Sequence, residues 1–170
     1  YAQTAVGPQP QRHPLSKVRD VMSRDPVSVS PDSVVQAAWQ QLAAQHLGQA
    51  PVVNVQGQVV GLLLRAHMVP LELWSQLDDV QQARTLAQRR VQEVMISPVP
   101  TVAAEAPLRQ VAQVLIDTDL PGLPVTDITG QLEGFISRTD ILRALAVDPP
   151  LDIWSGPRPQ LSAERRLQPR

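Results

Sequence analysis

Cysteine is absent from this 170-residue chain, and its absence excludes disulfide bonds, thiolate catalysis and cysteine-ligated zinc. Aromatic residues are also scarce, at 3%, although 43% of the residues are hydrophobic. A core must therefore be built mainly from Val, Leu, Ile and Ala. The formal net charge of -1 gives no electrostatic basis for a nucleic-acid or membrane-surface partner.

Long apolar runs are missing as well. The longest strongly apolar stretch, Val59–Leu64, is far shorter than the roughly 20 residues that cross a bilayer. No basic-then-apolar signal segment opens the chain. We therefore expect a soluble, cytoplasmic protein with no direct membrane span. The chain begins with Tyr1 rather than Met, which indicates a piece of a longer or processed protein.

Sequence motifs for catalysis and metal binding are missing too. The chain contains no GxSxG, P-loop or GxGxxG motif. No two of its histidines, His13, His46 and His67, are four residues apart, as two metal ligands on one helix face would be. We therefore predict no metal site, no required cofactor and no enzymatic activity.

The sequence does contain an internal repeat with a constant offset of 73 residues. Residues 18–22 match residues 91–95, Pro51-Val52 matches Pro124-Val125, and Arg65 matches Arg138. No gap is needed anywhere from residue 18 to residue 65, so the repeat is a duplication.

Each copy predicts the same elements. A short strand near residues 27–29, or 101–102 in the second copy, leads to a helix that Ser33 is expected to cap in the first copy. Two Val/Ile/Leu-rich strands around a Gly turn follow at 50–55 and 59–64, and at 123–128 and 132–136. A second helix begins near residue 65 or 139. The first helix has one apolar stripe at helical spacing, formed by Val35, Ala38, Trp39 and Leu42, or by Leu108, Val111, Ala112 and Leu115.

The predicted fold is therefore α/β (α+β), with two βαββα repeats packed with pseudo-two-fold symmetry. We assign residues 1–14 to a linker, 15–77 to the first repeat, 78–90 to a helical connector, 91–147 to the second repeat and 148–170 to a C-terminal tail. A unit of this size buries too little surface alone, so the two repeats should form one folding unit with clefts between them.

The repeats resemble the CBS-domain family, named after cystathionine β-synthase. The resemblance covers residues 18 to about 145. It rests on Asp20-Val21-Met22-Ser23, echoed by Glu93-Val94-Met95, on Ala50-Pro51-Val52-Val53 with its equivalent, and on residues 134–142, GFISRTDIL. The resemblance implies a regulatory tandem pair that dimerises into a disc. It also implies an adenine ligand, AMP, ADP, ATP or S-adenosylmethionine, and control of an attached or partner protein.

The resemblance also implies a ligand site between the repeats. Asp140 would accept hydrogen bonds from the ribose hydroxyls and Ser137 would contact phosphate, although the same pair could be only a capping box at a helix start. The family pattern places Met22, Val27, Leu47, Gly48 and Gln49 opposite Ser137, Arg138, Thr139 and Asp140. These nine residues are the predicted ligand-binding set.

The pseudo-symmetric cleft is expected to be degraded. Leu64 and His67 replace the Ser and Asp there, and Pro100, which has no N–H to donate, stands where Val27 stands. Two alternatives to a sensor stay open: a ligand-free dimerisation scaffold, and a regulatory fragment of a larger enzyme or transporter. A homodimer would be formed through apolar residues that one chain alone leaves uncovered, such as Leu71, Leu73, Trp74 and Leu77.

Overall fold

A computed structural model of the chain describes residues 16–68 and 80–147. The predicted linker, the C-terminal tail and the apolar residues Leu71, Leu73, Trp74 and Leu77 lie outside the described residues.

The predicted duplication of helices and strands is confirmed. In the first copy, a 3-10 turn at Val18–Asp20 precedes β1 (Ser23–Arg24), α1 (Val35–Ala44), β2 (Gln49–Val53), β3 (Val59–Leu64) and a 3-10 turn at Arg65–His67. After α2 (Val80–Ala87), the second copy contains α3 (Val91–Val94), α4 (Leu108–Thr118), β4 (Gly122–Thr126), β5 (Leu132–Ser137) and α5 (Arg138–Val147). Each β-hairpin is antiparallel, and each first helix follows a parallel bridge to its hairpin, Val29 to Val52 and Val102 to Val125.

The two hairpins turn earlier than the apolar sequence predicts. Strands predicted to reach residues 55 and 128 end at Val53 and Thr126. The side-chain oxygens of Asn54 and Asp127 each accept two backbone N–H groups of the turn at 2.8–3.0 Å, which ends strand pairing there. Val55 and Ile128 are consequently 92% and 103% exposed, so their assignment to buried strands was wrong.

The two repeats exchange their leading segments. Strand β1, which belongs to the first copy by sequence, pairs antiparallel with β5 of the second copy. Ile96 bridges Leu62 of the first copy in the equivalent way. Val18 is fully buried in the core of the second repeat, and Val91 is fully buried in that of the first. Neither repeat therefore has a complete core without the other.

Each exchanged segment approaches a glycine of the other repeat closely, and the two approaches are equivalent. A Cβ placed on Gly134 would lie 2.7 Å from Met22 Sδ and 2.8 Å from the Ser23 carbonyl oxygen. A Cβ placed on Gly61 would lie 2.6 Å from Met95 Sδ and 2.8 Å from the Ile96 carbonyl oxygen. Only glycine lets the exchanged segment approach the strand this closely.

An exposed ion-pair cluster also holds the leading segment to the second repeat. Lys17 Nζ and Arg19 Nη1 lie 2.7 and 2.6 Å from the two carboxylate oxygens of Glu105. The hydrogen bond from Lys17 lowers the pKa of Glu105, and the charges of both cations add to the effect.

The helix stripes form the aliphatic core that the spacing predicts. Val35, Ala38 and Leu42 are buried in the first repeat, and Leu108, Val111 and Leu115 are buried in the second. Trp39 is only partly buried, and the guanidinium of Arg65 lies 5.3 Å from its ring centroid. The prediction that Ser33 caps α1 was wrong: the N-cap is Val34, with no side-chain cap, and the Ser33 carbonyl oxygen accepts Val91 N–H at 2.9 Å.

Candidate functional site

A cavity of about 550 Å³ lies where the two repeats meet. Its walls come from β1 and the loop after it, from the loop between α1 and β2 with the start of β2, and from the end of β5 with the first turns of α5. The volume is within the usual range for small-molecule sites. Because β1 pairs with β5, the segment exchange itself brings these walls together.

Seven of the nine predicted ligand-binding residues line this single cavity. From the first copy these are Val27, Leu47, Gly48 and Gln49, and from the second copy Ser137, Thr139 and Asp140. The two groups are about 90 positions apart in the chain, and only the packing of the repeats places them together.

Ser137 and Asp140 form a capping box at the start of α5. Ser137 N–H donates to Asp140 Oδ2 at 3.0 Å, and Asp140 N–H donates to Ser137 Oγ at 3.1 Å. Both side chains also line the cavity. An ionised carboxylate has about four acceptor positions, and the cap uses one of them. Asp140 can therefore cap the helix and still accept hydrogen bonds from a ligand.

Arg138 and Met22 do not line the cavity. Arg138 Nη2 donates to Asp119 Oδ1 at 2.9 Å and lies 3.4 Å from the Leu115 carbonyl oxygen, so its charge is directed toward the end of α4. Met22 packs its sulfur against Gly134.

Sequence reasoning missed several lining residues. The apolar ones are Pro26, Pro51 and Phe135, and the polar and charged ones are Ser23, Arg24, Asp25, Gln45, His46 and Arg143. One signal was present in the sequence: Arg143 follows Thr139 by four residues and Asp140 by three, so helical periodicity places all three on one face. Arg24 ends strand β1, and His46 lies in the loop between α1 and β2. No helical periodicity predicts which way a side chain points at these positions.

The cavity has an apolar part and a charged part. Pro51 and Phe135 are buried, whereas Arg24, His46 and Arg143 are exposed. Gln49 Oε1 is buried without a hydrogen-bond partner. An unsatisfied buried carbonyl oxygen costs about 1–3 kcal/mol, which an N–H donor reaching it would relieve.

The pseudo-symmetric cleft differs at the equivalent helix start. Leu64 precedes a single 3-10 turn, Arg65–His67, which ends at His67, and Met68 after it is extended. His67 is exposed. The first cleft thus lacks the capped α-helix start that Ser137 and Asp140 form in the second copy.

Two further concavities, of about 570 and 430 Å³, occupy equivalent positions outside the hairpins of the two repeats. They are lined by matched residues, Val102 and Asp127 in one and Val29 and Asn54 in the other. Since both copies form them, they are a consequence of the repeated architecture. Within residues 16–68 and 80–147, no group of three His, Cys, Asp or Glu residues is placed to hold a metal ion. No helix in the same ranges has the length and apolar character needed to cross a membrane.

Comparison with known proteins agrees with this architecture. The CBS domain profile matches residues 18–69 and 91–147. A CBS domain-containing protein of Dictyostelium discoideum is 25% identical over 133 residues, covering 75% of this chain and 90% of that protein. The L-aspartate semialdehyde sulfurtransferase of Methanocaldococcus jannaschii is 23% identical over 135 residues, and the match covers 79% of this chain but only 24% of the enzyme. Two other curated relatives from methanogens are covered to 61% and 47% of their length.

Solved structures share the fold. CBSX2 in complex with AMP superposes with a TM-score of 0.63 and 25% identity, over 75% of this chain and 94% of that one. The CBS domain pair of protein MJ0100, in complex with 5′-methylthioadenosine and S-adenosyl-L-methionine, superposes with a TM-score of 0.64 and 21% identity, over 78% and 98%. The duplicated profile match, the exchanged leading segments and these superpositions establish that the chain belongs to the CBS-domain family, as a tandem pair of CBS domains.

Proposed function

We propose that this chain is a regulatory, non-catalytic module that binds one adenine-containing ligand in the cavity at Ser137 and Asp140. The ligand would be AMP, ADP, ATP or S-adenosylmethionine, and its binding would control an attached or partner protein in the cytoplasm. The observation that carries the proposal is the convergence of seven residues from both repeats on one cavity. CBSX2 with AMP, at 25% identity, supports the ligand class.

The chemistry of the cavity fits a nucleoside. Val27 and Leu47, both half-buried, offer apolar surface to a flat base. Asp140 offers free acceptor positions to a pair of hydroxyl groups. A ligand held between walls from both repeats would stabilise their packing, which is how binding becomes a signal.

We also propose that the module acts as a homodimer through α4 and α5. Ile116 on α4 is 73% exposed and Leu142 on α5 is 65% exposed, and the two helices contact each other. Large exposed apolar side chains on adjacent helices are typical of a protein–protein interface.

The second candidate is a ligand-free dimerisation scaffold. One observation favours it: the Ser137–Asp140 capping box is complete with hydrogen bonds from the protein itself. A regulatory fragment of a larger enzyme or transporter is compatible with either candidate, and the sequence of the whole protein would identify it.

Calorimetric titration of the chain with AMP, ADP, ATP and S-adenosylmethionine separates the two candidates. We expect one ligand per chain, and at least a tenfold loss of affinity in Asp140→Asn, because a charged hydrogen bond contributes about 1.5–3 kcal/mol and about 1.4 kcal/mol is a factor of ten. Asn keeps an oxygen for Ser137 N–H, so the cap survives. Asp117→Asn, on the exposed face of α4 outside the cavity, is the matched control. If wild type binds none of the four, the scaffold is correct. If Asp140→Asn binds normally, the site is elsewhere.

A further inference from the structure

Three cationic or donor side chains stand at the exposed part of the cavity: Arg24, His46 and Arg143. From them we infer that the cavity selects ligands bearing an anionic phosphate over the uncharged nucleoside and over S-adenosylmethionine, whose sulfonium is positive. This inference rests on the proposed function and narrows its ligand class.

The three side chains converge from separate elements. Arg24 is on β1, His46 follows α1, and Arg143 is on α5 of the other repeat. None of the three has a side-chain hydrogen bond or ion pair within the part of the chain that the structure describes. Across those same residues, Arg109 on α4 is unpaired and exposed as well, so an unpaired arginine alone carries no information. The inference rests instead on the fact that three such groups line one cavity.

The duplication provides an internal control for this convergence. At the 73-residue offset, the equivalents of Arg24, His46 and Arg143 are Ser97, Asp119 and Pro70, and none of these is a cation. The positive groups are therefore not part of the repeated architecture. They line the cleft that also has Ser137 and Asp140.

The two carboxylates of the cavity, Asp25 and Asp140, formally balance its two arginines, so the preference depends on where each group lies. Asp140 has one oxygen engaged by Ser137 N–H. Asp25 lines the same cavity and is exposed, which leaves the cavity with two arginines, two carboxylates and a histidine that can donate. In the proposed binding mode, Asp140 faces hydroxyl groups, so a phosphate at the exposed part meets Arg24, His46 and Arg143 against Asp25 alone. Two of the first-turn amides of α5 are already bonded, to Pro121 and Ser137, so the preference depends on side chains rather than on the helix end.

The test compares AMP, adenosine and S-adenosylmethionine by calorimetry at low salt. We expect wild type to bind AMP at least tenfold more tightly than adenosine, and AMP affinity alone to fall as potassium chloride is added. The Arg24→Gln/Arg143→Gln variant should lose the tenfold preference while keeping its affinity for adenosine. Arg109→Gln, the matched control, should keep the preference.

The outcomes separate this inference from the proposed function. Equal binding of AMP and adenosine by wild type overturns the phosphate preference and leaves an adenosine site intact. A preference that survives in the double variant also overturns the inference. Failure of these three ligands, and of ADP and ATP as well, to bind overturns the proposed function and the inference with it. The cations would then be candidates for an acidic surface of a partner protein.

Discussion

Replacing Gly134 with Ala should destabilise the module, although alanine is normally the better residue in a strand. Without a clash, Gly→Ala in a strand stabilises by about 0.5–1 kcal/mol. Here the new Cβ would lie 2.7 Å from Met22 Sδ and 2.8 Å from the Ser23 carbonyl oxygen. The thioether can rotate away, but the carbonyl belongs to β1, which is paired with β5, so the strand itself must move. Such overpacking costs about 1–3 kcal/mol.

The net loss should be about 1–2 kcal/mol, which lowers the Tm of a chain of this size by roughly 2–8 °C. Gly61→Ala should cost a similar amount, because its Cβ meets Met95 and Ile96 in the equivalent geometry. Gly48→Ala is the matched control: its Cβ has no neighbour within 4 Å, so its Tm should stay constant or rise. Thermal unfolding followed by circular dichroism measures all three. If Gly134→Ala is as stable as Gly48→Ala, the exchanged segments do not pack tightly against the strands.

Three other predictions concern pH, stoichiometry and assembly. The hydrogen bond from Lys17 lowers the pKa of Glu105 below 4.5, so the pair stabilises the fold above that pH and this stabilisation is lost as the pH falls. Glu105→Gln should therefore show a smaller drop in Tm than wild type between about pH 6 and about pH 3. An equal drop in the two proteins would contradict the assignment. A Leu64→Ser/His67→Asp variant, changed in the first copy, should still bind close to one nucleotide per chain by calorimetry. The reason is that the first copy has a single 3-10 turn at the position where α5 begins in the second copy. Two nucleotides per chain would refute this prediction. Leu142→Asp should shift light scattering at micromolar concentration from twice the chain mass to the monomer mass, and a strictly monomeric wild type would rule out the dimer.

Much of the site could be predicted because the duplication places residues in register. The offset of 73 marks Asp140 as different from His67, and this contrast in the sequence is enough to distinguish the two clefts. The family resemblance then placed Val27 and Gln49 opposite Asp140, and both line the cavity with it. Arg138 shows the limit of that reasoning. The family pattern also placed it in the ligand set, but Arg138 does not line the cavity: its guanidinium is bonded to Asp119, and no local pattern specifies which neighbour a long side chain contacts.

The sequence by itself determined the local structure of this protein: a duplicated unit, the buried stripes of α1 and α4, and an aliphatic core. Hydrophobic periodicity and turn residues act over a few positions, so they can be read along the chain. Only the tertiary structure decided that Val18 completes the core of the second repeat and Val91 that of the first. It also decided that Arg24, His46 and Arg143 converge on one cavity. These arrangements depend on contacts between residues far apart in the chain, and packing of whole elements, rather than any local pattern, selects them.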